Sequence, residues 1–107
     1  MTAQYQHIHF IGIGGVSMSA LAEIMRLRGH KITGSDNSES AAVEHLRKNG
    51  VTVYRGHRSD QIKGADLIVY TAAISPDNEE LVAAKNYGVP VVERAVFLGW
   101  ILRCYGC

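Results

Sequence analysis

Residues 12–17, Gly-Ile-Gly-Gly-Val-Ser, combine types and spacing suited to holding an anion. A glycine at 12 lets the backbone turn sharply off a preceding strand. A glycine at 14 lets a phosphate approach the main chain with no Cβ in the way. The amides that open the following helix would then point at the anion, assisted by the helix dipole. The stretch departs from the dinucleotide fingerprint G-x-G-x-x-G. Gly15 is an added glycine, and Ser17 stands where the third glycine or an alanine would pack against the strand. The Ser17 hydroxyl has two uses open to it, donation to a phosphate oxygen or capping of the helix. The expected ligand of Gly12, Gly14, Gly15, Val16 and Ser17 is a diphosphate.

Three further stretches carry polar or small residues to where a ligand of that kind would lie. Asp36 ends "GSD", 24 residues after Gly12, near the distance at which an acidic side chain meets a ribose in nucleotide-binding folds. Its carboxylate accepts from neutral donors and repels a 2′-phosphate, which disfavours NADP. Its other reading is a solvated cap for a helix starting near Ser38. His57 follows Gly56 in "RGHRSD". Thr71, Ala72 and Ala73 open "TAAISPDN", where small side chains let the backbone come close to a ligand and Asp77 or Asn78 can cap the next helix. His7, His9, His30 and His45 fall away from these loops and read as structural.

The elements that must position these loops alternate along the chain. "HIHFIG" is a short apolar strand running into glycines. From Gly15 to Arg28 apolar residues recur at helical spacing, and Gly29 stops the helix. "HKITGSD" is a second strand, and "SESAAVEHLRKNG" a helix capped by Ser38 and ended at Asn49-Gly50. "VTVY" is a third strand, followed by the polar loop "RGHRSDQIKGA". "DLIVYT" has the near-continuous apolar run of a strand covered on both faces. A helix from Asn78 to Tyr87, a fifth strand "VPVV" and a last helix "RAVFLGWILR" complete the chain. Such alternation predicts an α/β domain: a Rossmann-like, doubly wound parallel five-stranded sheet in the order 3-2-1-4-5, with helices on both faces. Ligands bind such sheets at the carboxyl ends of the strands, where the order reverses between the first and fourth.

At 107 residues the chain suits a single domain, residues 1–107. Hydrophobic residues at 47% and charged residues at 20% exclude a disordered polyelectrolyte. A formal net charge of +1 with interspersed signs offers nothing to a nucleic acid. The N-terminal residues lack a basic segment followed by an apolar one, and "AVFLGWIL" is too short to span a bilayer. A cytoplasmic location is therefore expected. Cys104 and Cys107 follow a helix instead of opening one and have no second cysteine pair, so they read as ordinary thiols. No Ser-His-Asp or Cys-His arrangement, metal-spaced cluster or G-x-x-x-x-G-K-[ST] loop occurs. From its residues the chain is a nucleotide-binding domain without chemistry of its own.

"HFIGIGGVSMSALAEIM", "GSD", "GH", "TAAISPDNEE" and "VPVVERAVFLG" together resemble the N-terminal domain of the Mur ligases, in order and over nearly the whole chain. The alanine-adding branch is the better match, since the branch that attaches a whole tripeptide typically carries a cysteine where Gly15 stands. The resemblance implies a three-domain, ATP-dependent, amide-forming ligase of peptidoglycan precursor synthesis. Its first domain would hold the UDP part of UDP-N-acetylmuramic acid, while ATP, Mg2+ and L-alanine would bind the other domains. No cofactor is expected in this chain itself. The resemblance places the diphosphate on Gly12, Gly14, Gly15, Val16 and Ser17, and Asp36 and His57 near the uracil and ribose. It also places Thr71, Ala72 and Ala73 along the diphosphate path, with Arg94 as a charge contact. In the family a Gly-Lys-Thr/Ser loop follows soon after the segment resembling "VFLGWILRCYGC". This sequence stops before it, so the chain is expected to be inactive alone and to leave Phe97, Trp100 or Ile101 partly exposed for self-association. A stand-alone NAD- or nucleotide-sensing module is the competing reading. The glycine turn and Asp36 suit it too, whereas Gly15, Ser17 and "TAAISPDN" favour the ligase.

Overall fold

The computed structural model describes residues 4–105. The elements run β1 (His7–Ile11), α1 (Val16–Leu27), β2 (Lys31–Asp36), α2 (Ala41–Lys48), β3 (Thr52–Arg55), a 3₁₀ turn (Ser59–Ile62), β4 (Leu67–Tyr70), α3 (Glu79–Tyr87), β5 (Val91–Glu93) and α4 (Arg94–Tyr105). All strand pairs are parallel and the sheet order is β3-β2-β1-β4-β5, as the alternation predicts. β1 lies between β2 and β4, so the chain leaves it toward one edge of the sheet and later returns to its other side.

Period-two alternation divides the strand residues between two unlike faces. Ile8 and Phe10 of β1, Ile32 of β2 and Leu67 and Val69 of β4 meet Met18, Leu21 and Met25 of α1, Val43 and Leu46 of α2, and Phe97 and Ile101 of α4. Phe97 stands edge-on to Phe10 with ring centroids 6.1 Å apart, an arrangement that contributes about 0.5–1.5 kcal/mol beyond the area it buries. The other face has a smaller apolar cluster in which Ile11 and Ile68 meet Ile62, Leu81 and Ala84. The same face also carries the polar strand residues His7, His9, Thr33 and Ser35. Between β3 and β4 this face is covered by a four-residue 3₁₀ turn instead of a full helix. In sequence that segment reads as a plain polar loop. Its buried residue Ile62 is the anchor that gives the turn a fixed seat.

Several local expectations need correction. The cap of α2 is Ser40, whose Oγ accepts from the Val43 amide at 3.2 Å, and not Ser38. The Ser38 amide instead donates to Asp36 Oδ1 at 2.9 Å, which shifts the helix start two residues on. Asn78 does cap α3, accepting from the amides of Glu80 and Leu81. Phe97 and Ile101 are buried, Trp100 is half-buried against the same core, and among the described large apolar side chains of α4 only Val96 and Leu102 stand well exposed. Of the three residues expected to be partly exposed, Trp100 alone keeps partial exposure, because the helix turns Phe97 and Ile101 onto the sheet. Cys107 and the side chain of Cys104 lie outside the described residues. Among the described residues no helix is long and apolar enough to cross a membrane.

Candidate functional site

A cleft of about 460 Å³ opens at the carboxyl ends of β1 and β4. It is lined by Gly12, Gly15, Val16, Ser17, Asp36, His57, Thr71, Ala73 and Arg94 from the predicted set, together with Met18, Asn37 and Ile74. Gly14 and Ala72 are not among its lining residues. A larger hollow of about 650 Å³ lies at the opposite edge, lined by Arg28, Lys31, Lys63 and the half-buried His7 and His30. It sits at the amino ends of the strands, away from the helix N-terminus and the β1–β4 split where ligands of this architecture bind.

The floor of the cleft is the glycine turn. Gly12 takes φ +84°, a conformation that costs an L-residue with a Cβ about 1–2 kcal/mol. The amides of Gly12 and Ile13 both donate to the Ser35 carbonyl, at 2.8 and 3.0 Å, and so tie the turn to β2. Gly15 is the N-cap of α1, with ordinary φ −64° and no side-chain cap, and the first turn holds no acidic residue. The amides of Val16, Ser17 and Met18 have no acceptor among the described residues. Three free amides at a helix N-terminus form an anion-binding surface.

Two expected roles change. Gly14 does not free its backbone for a ligand: its amide donates to Asp36 Oδ2 at 2.8 Å. A Cβ there would lie 2.8 Å from that oxygen and 2.9 Å from Val43, so the glycine admits Asp36. Ser17 neither caps the helix nor packs against the strand. It is exposed in the first turn, and its Oγ accepts from Arg94 Nη1 at 3.1 Å. This contact draws a guanidinium from 77 residues away to the uncapped helix end, whereas Glu93 turns back to accept from the Ala95 amide. Gly15 has room for a Cβ, the nearest atom being the Gly12 carbonyl oxygen at 3.6 Å.

Behind the cleft wall runs a polar network that reading the residues singly did not find. Glu80 is fully buried. Its Oε1 accepts from His9 Nε2 at 2.8 Å and Ser35 Oγ at 2.6 Å. Its Oε2 accepts from Gln61 Nε2 at 2.5 Å and the Arg58 amide at 3.2 Å. His9 Nδ1 and His7 Nε2 both meet Thr33 Oγ1 at 2.8 Å, and His57 Nδ1 meets Ser35 Oγ at 2.8 Å. A continuous chain thus joins His7 at the amino edge of the sheet to His57 in the cleft. No buried side-chain nitrogen or oxygen lacks a partner among the described residues. The available signal was period-two spacing: His7 and His9 in "HIHFI", and Thr33 and Ser35 in "ITGSD", fall on one sheet face. Glu80 and Gln61 come from elsewhere in the chain and carried no signal. His30 and His45 lie off the cleft, bonded to the Tyr5 carbonyl and to Glu23.

Burial pushes the Glu80 carboxyl up, but the donors around it, His9 first, outweigh that and hold it below its ordinary value. Burial also holds the His7 imidazole low, against an opposing hydrogen bond with the Gly64 backbone. Both groups therefore bind protons less readily folded than unfolded, so stability rises with pH through each window. Chemical denaturation should show stability falling as pH drops below about 6.5 through His7, and again below about 4.3 through Glu80. In His7→Gln the upper limb should flatten while the lower persists. A wild-type urea midpoint that rises between pH 7 and 5 would contradict this assignment.

Residues 7–105 match the family model described as "Mur ligase family, catalytic domain". The chain belongs to the Mur ligase family. It is 49% identical over 102 residues to a UDP-N-acetylmuramate–L-alanine ligase of Acetivibrio thermocellus, covering 95% of this chain and 22% of that relative. Among solved structures, the UDP-N-acetylmuramate–alanine ligase of Thermotoga maritima superposes with a TM-score of 0.88 at 35% identity, covering 91% of this chain and 23% of that one. This Mur ligase chain thus spans about a fifth of the length of the curated relatives it matches. The negative transcriptional regulator NmrA, solved with NADP, gives a TM-score of 0.69 at 18% identity and shares the fold alone.

Proposed function

We propose that this Mur ligase chain binds the UDP part of UDP-N-acetylmuramic acid, as the nucleotide-holding domain of a ligase that joins L-alanine to that substrate. The observation that carries the reading is the uncapped N-terminus of α1, faced by Arg94 and flanked by Asp36 and His57 in one cleft. The diphosphate lies on the amides of Val16, Ser17 and Met18, where the helix dipole and the Arg94 guanidinium offset its charge. Asp36 already accepts from the amides of Gly14 and Ser38. Each carboxylate oxygen retains a further acceptor site for a ribose hydroxyl. Thr71, Ala72 and Ala73 lie beside the diphosphate path, Ala72 as a backbone position outside the cleft lining.

We assign no site for Mg2+ or ATP to this chain. Among the described residues no three His, Cys, Asp or Glu side chains converge in a metal-binding arrangement, and the sequence has no phosphate loop of the G-x-x-x-x-G-K-[ST] kind. No catalytic residue is assigned, and the chain alone should be inactive. ATP, Mg2+ and L-alanine belong to the remainder of an enzyme of the relatives' length. What this domain contributes is remote binding energy, which positions the muramoyl carboxylate for reaction elsewhere.

Thermal unfolding with added ligands tests the reading. At a hundredfold excess over Kd a ligand adds about 2.7 kcal/mol, which for a domain near 100 residues raises Tm by roughly 10 °C or more. UDP-N-acetylmuramic acid and UDP should both produce such shifts, and NADH should not. Stabilisation by NADH with no response to either uridine ligand would overturn the reading in favour of a dinucleotide sensor.

A further inference from the structure

The buried network has a direction that is set by its acceptors. A carboxylate held ionised has no proton to donate, so each contact to Glu80 is a donation to it. The one hydroxyl hydrogen of Ser35 is therefore committed to Glu80 Oε1 at 2.6 Å. Ser35 Oγ can then meet His57 Nδ1, 2.8 Å away, only as an acceptor, and the proton of that contact must sit on Nδ1. His57 Nε2 has no partner among the described residues. Since no side-chain nitrogen is both buried and unpartnered there, Nε2 is open to solvent at the cleft that His57 lines.

We infer that Ser35 and Glu80 are positioning residues that hold the His57 proton on Nδ1, so that Nε2 of the neutral ring offers a lone pair to the cleft and accepts a hydrogen bond from the nucleoside of the bound nucleotide. The nucleoside part of this inference rests on the proposed nucleotide site; the tautomer does not. The chemistry discriminates within the ligand. Diphosphate oxygens are acceptors and gain nothing from a neutral Nε2, whereas an imide N–H or a ribose hydroxyl can donate to it. The side chains involved come from three separate elements: Ser35 is wholly buried on β2, Glu80 wholly buried on α3, and His57 on the loop after β3. Gln61 secures that loop, bridging the Gly56 carbonyl at 3.0 Å to Glu80 Oε2 at 2.5 Å. The ring thus meets its ligand with its donor and acceptor sides already assigned.

Long-range proton–nitrogen correlation spectra of the 15N-labelled chain, at about pH 8.5 where an ordinary imidazole is neutral, report the tautomer directly. Loss of one signal set in His57→Gln assigns the ring. The wild-type ring should be in the Nδ1–H form without any ligand, and Ser35→Ala should move its population toward Nε2–H by severalfold. A wild-type ring in the Nε2–H form, or an unchanged spectrum in folded Ser35→Ala, overturns the inference. If Ser35→Ala does not fold, the wild-type spectrum still decides.

Calorimetric titration with UDP tests the binding half. His57→Ala and Ser35→Ala should each weaken binding by roughly three- to tenfold, the effect of one hydrogen bond. The double variant should lose no more than either single one, because Ser35 acts through the ring. Additive losses overturn the positioning role. Uridine diphosphates methylated at the imide nitrogen or lacking the 2′- or 3′-hydroxyl locate the donor. The analogue without it should bind wild type and His57→Ala alike, and preference for wild type by every analogue overturns the nucleoside contact. No UDP binding by wild type would instead overturn the nucleotide site and leave the tautomer result standing.

Discussion

Replacing Glu80 with alanine is expected to cost about 3–5 kcal/mol, the loss seen when one partner is removed from a buried polar pair. Four donors point at this carboxylate, from His9, Ser35, Gln61 and the Arg58 amide. His9 and Ser35 gain no replacement from water, since they and Glu80 itself are wholly buried, whereas Gln61 is half-buried and Arg58 exposed. Each stranded donor bears a desolvation penalty of about 1–3 kcal/mol, reduced where the structure relaxes. Against a typical total stability of about 5–15 kcal/mol the change is severe, and Tm should fall by more than about 10 °C. Glu80→Gln keeps the shape but replaces one acceptor oxygen with an NH2 group that faces donors, so it should be intermediate. Equilibrium urea unfolding measures both, with the midpoint falling and the slope unchanged. A loss below about 1 kcal/mol in Glu80→Ala would mean that water enters the network freely, against the burial on which its structural role depends.

Gly34→Ala should damage the fold less than Glu80→Ala but ligand binding more. A Cβ at Gly34 would lie 2.5 Å from Ile13 Cδ1, 2.7 Å from its Cβ and 2.9 Å from its Cγ2. The methyl at Cδ1 could rotate aside, but the Cβ moves only with the backbone of the glycine turn. That backbone is tied to β2 through the amides of Gly12 and Ile13 on the Ser35 carbonyl. Overpacking of this kind costs about 1–3 kcal/mol. Displacing the turn also swings the free amides of α1 off their line into the cleft, so affinity for UDP should drop roughly tenfold or more. Gly15→Ala is the matched control, since its φ is ordinary and its Cβ position is open. Its stability should change by less than about 0.5 kcal/mol. Equal losses of stability in the two variants would show that the Ile13 contact does not govern the turn.

The glycine turn and the positions of Asp36, His57, Thr71, Ala73 and Arg94 were legible for different reasons. The turn announces itself by composition next to a periodic helix. The other residues follow once the strand order is known, because each ends a strand or lies within three residues after one at the same edge. Their partners were not legible. Ser17 reads in sequence as a phosphate donor or a cap, but in three dimensions its oxygen holds Arg94. Gly14 reads as clearance for a phosphate, but that clearance is taken up by Asp36. In both cases the local rule singled out the residue, and a side chain 22 or 77 residues away decided what it contacts.

By itself the sequence determined the order of elements, the parallel sheet and the edge at which the glycine turn, Asp36, His57 and Arg94 gather. These depend on hydrophobic periodicity and on glycine stereochemistry, which act over a few neighbouring residues. The match of motifs along nearly the whole chain likewise carried the family. What only the tertiary structure decided is the polar half of the interior. His7, His9, Thr33, Ser35, His57, Gln61 and Glu80 are ordinary residues wherever they stand in the chain. They form one network because parallel register puts β1 beside β2 and α3 crosses above them. A buried carboxylate is tolerated only where donors converge on it from several directions, and that convergence belongs to the fold.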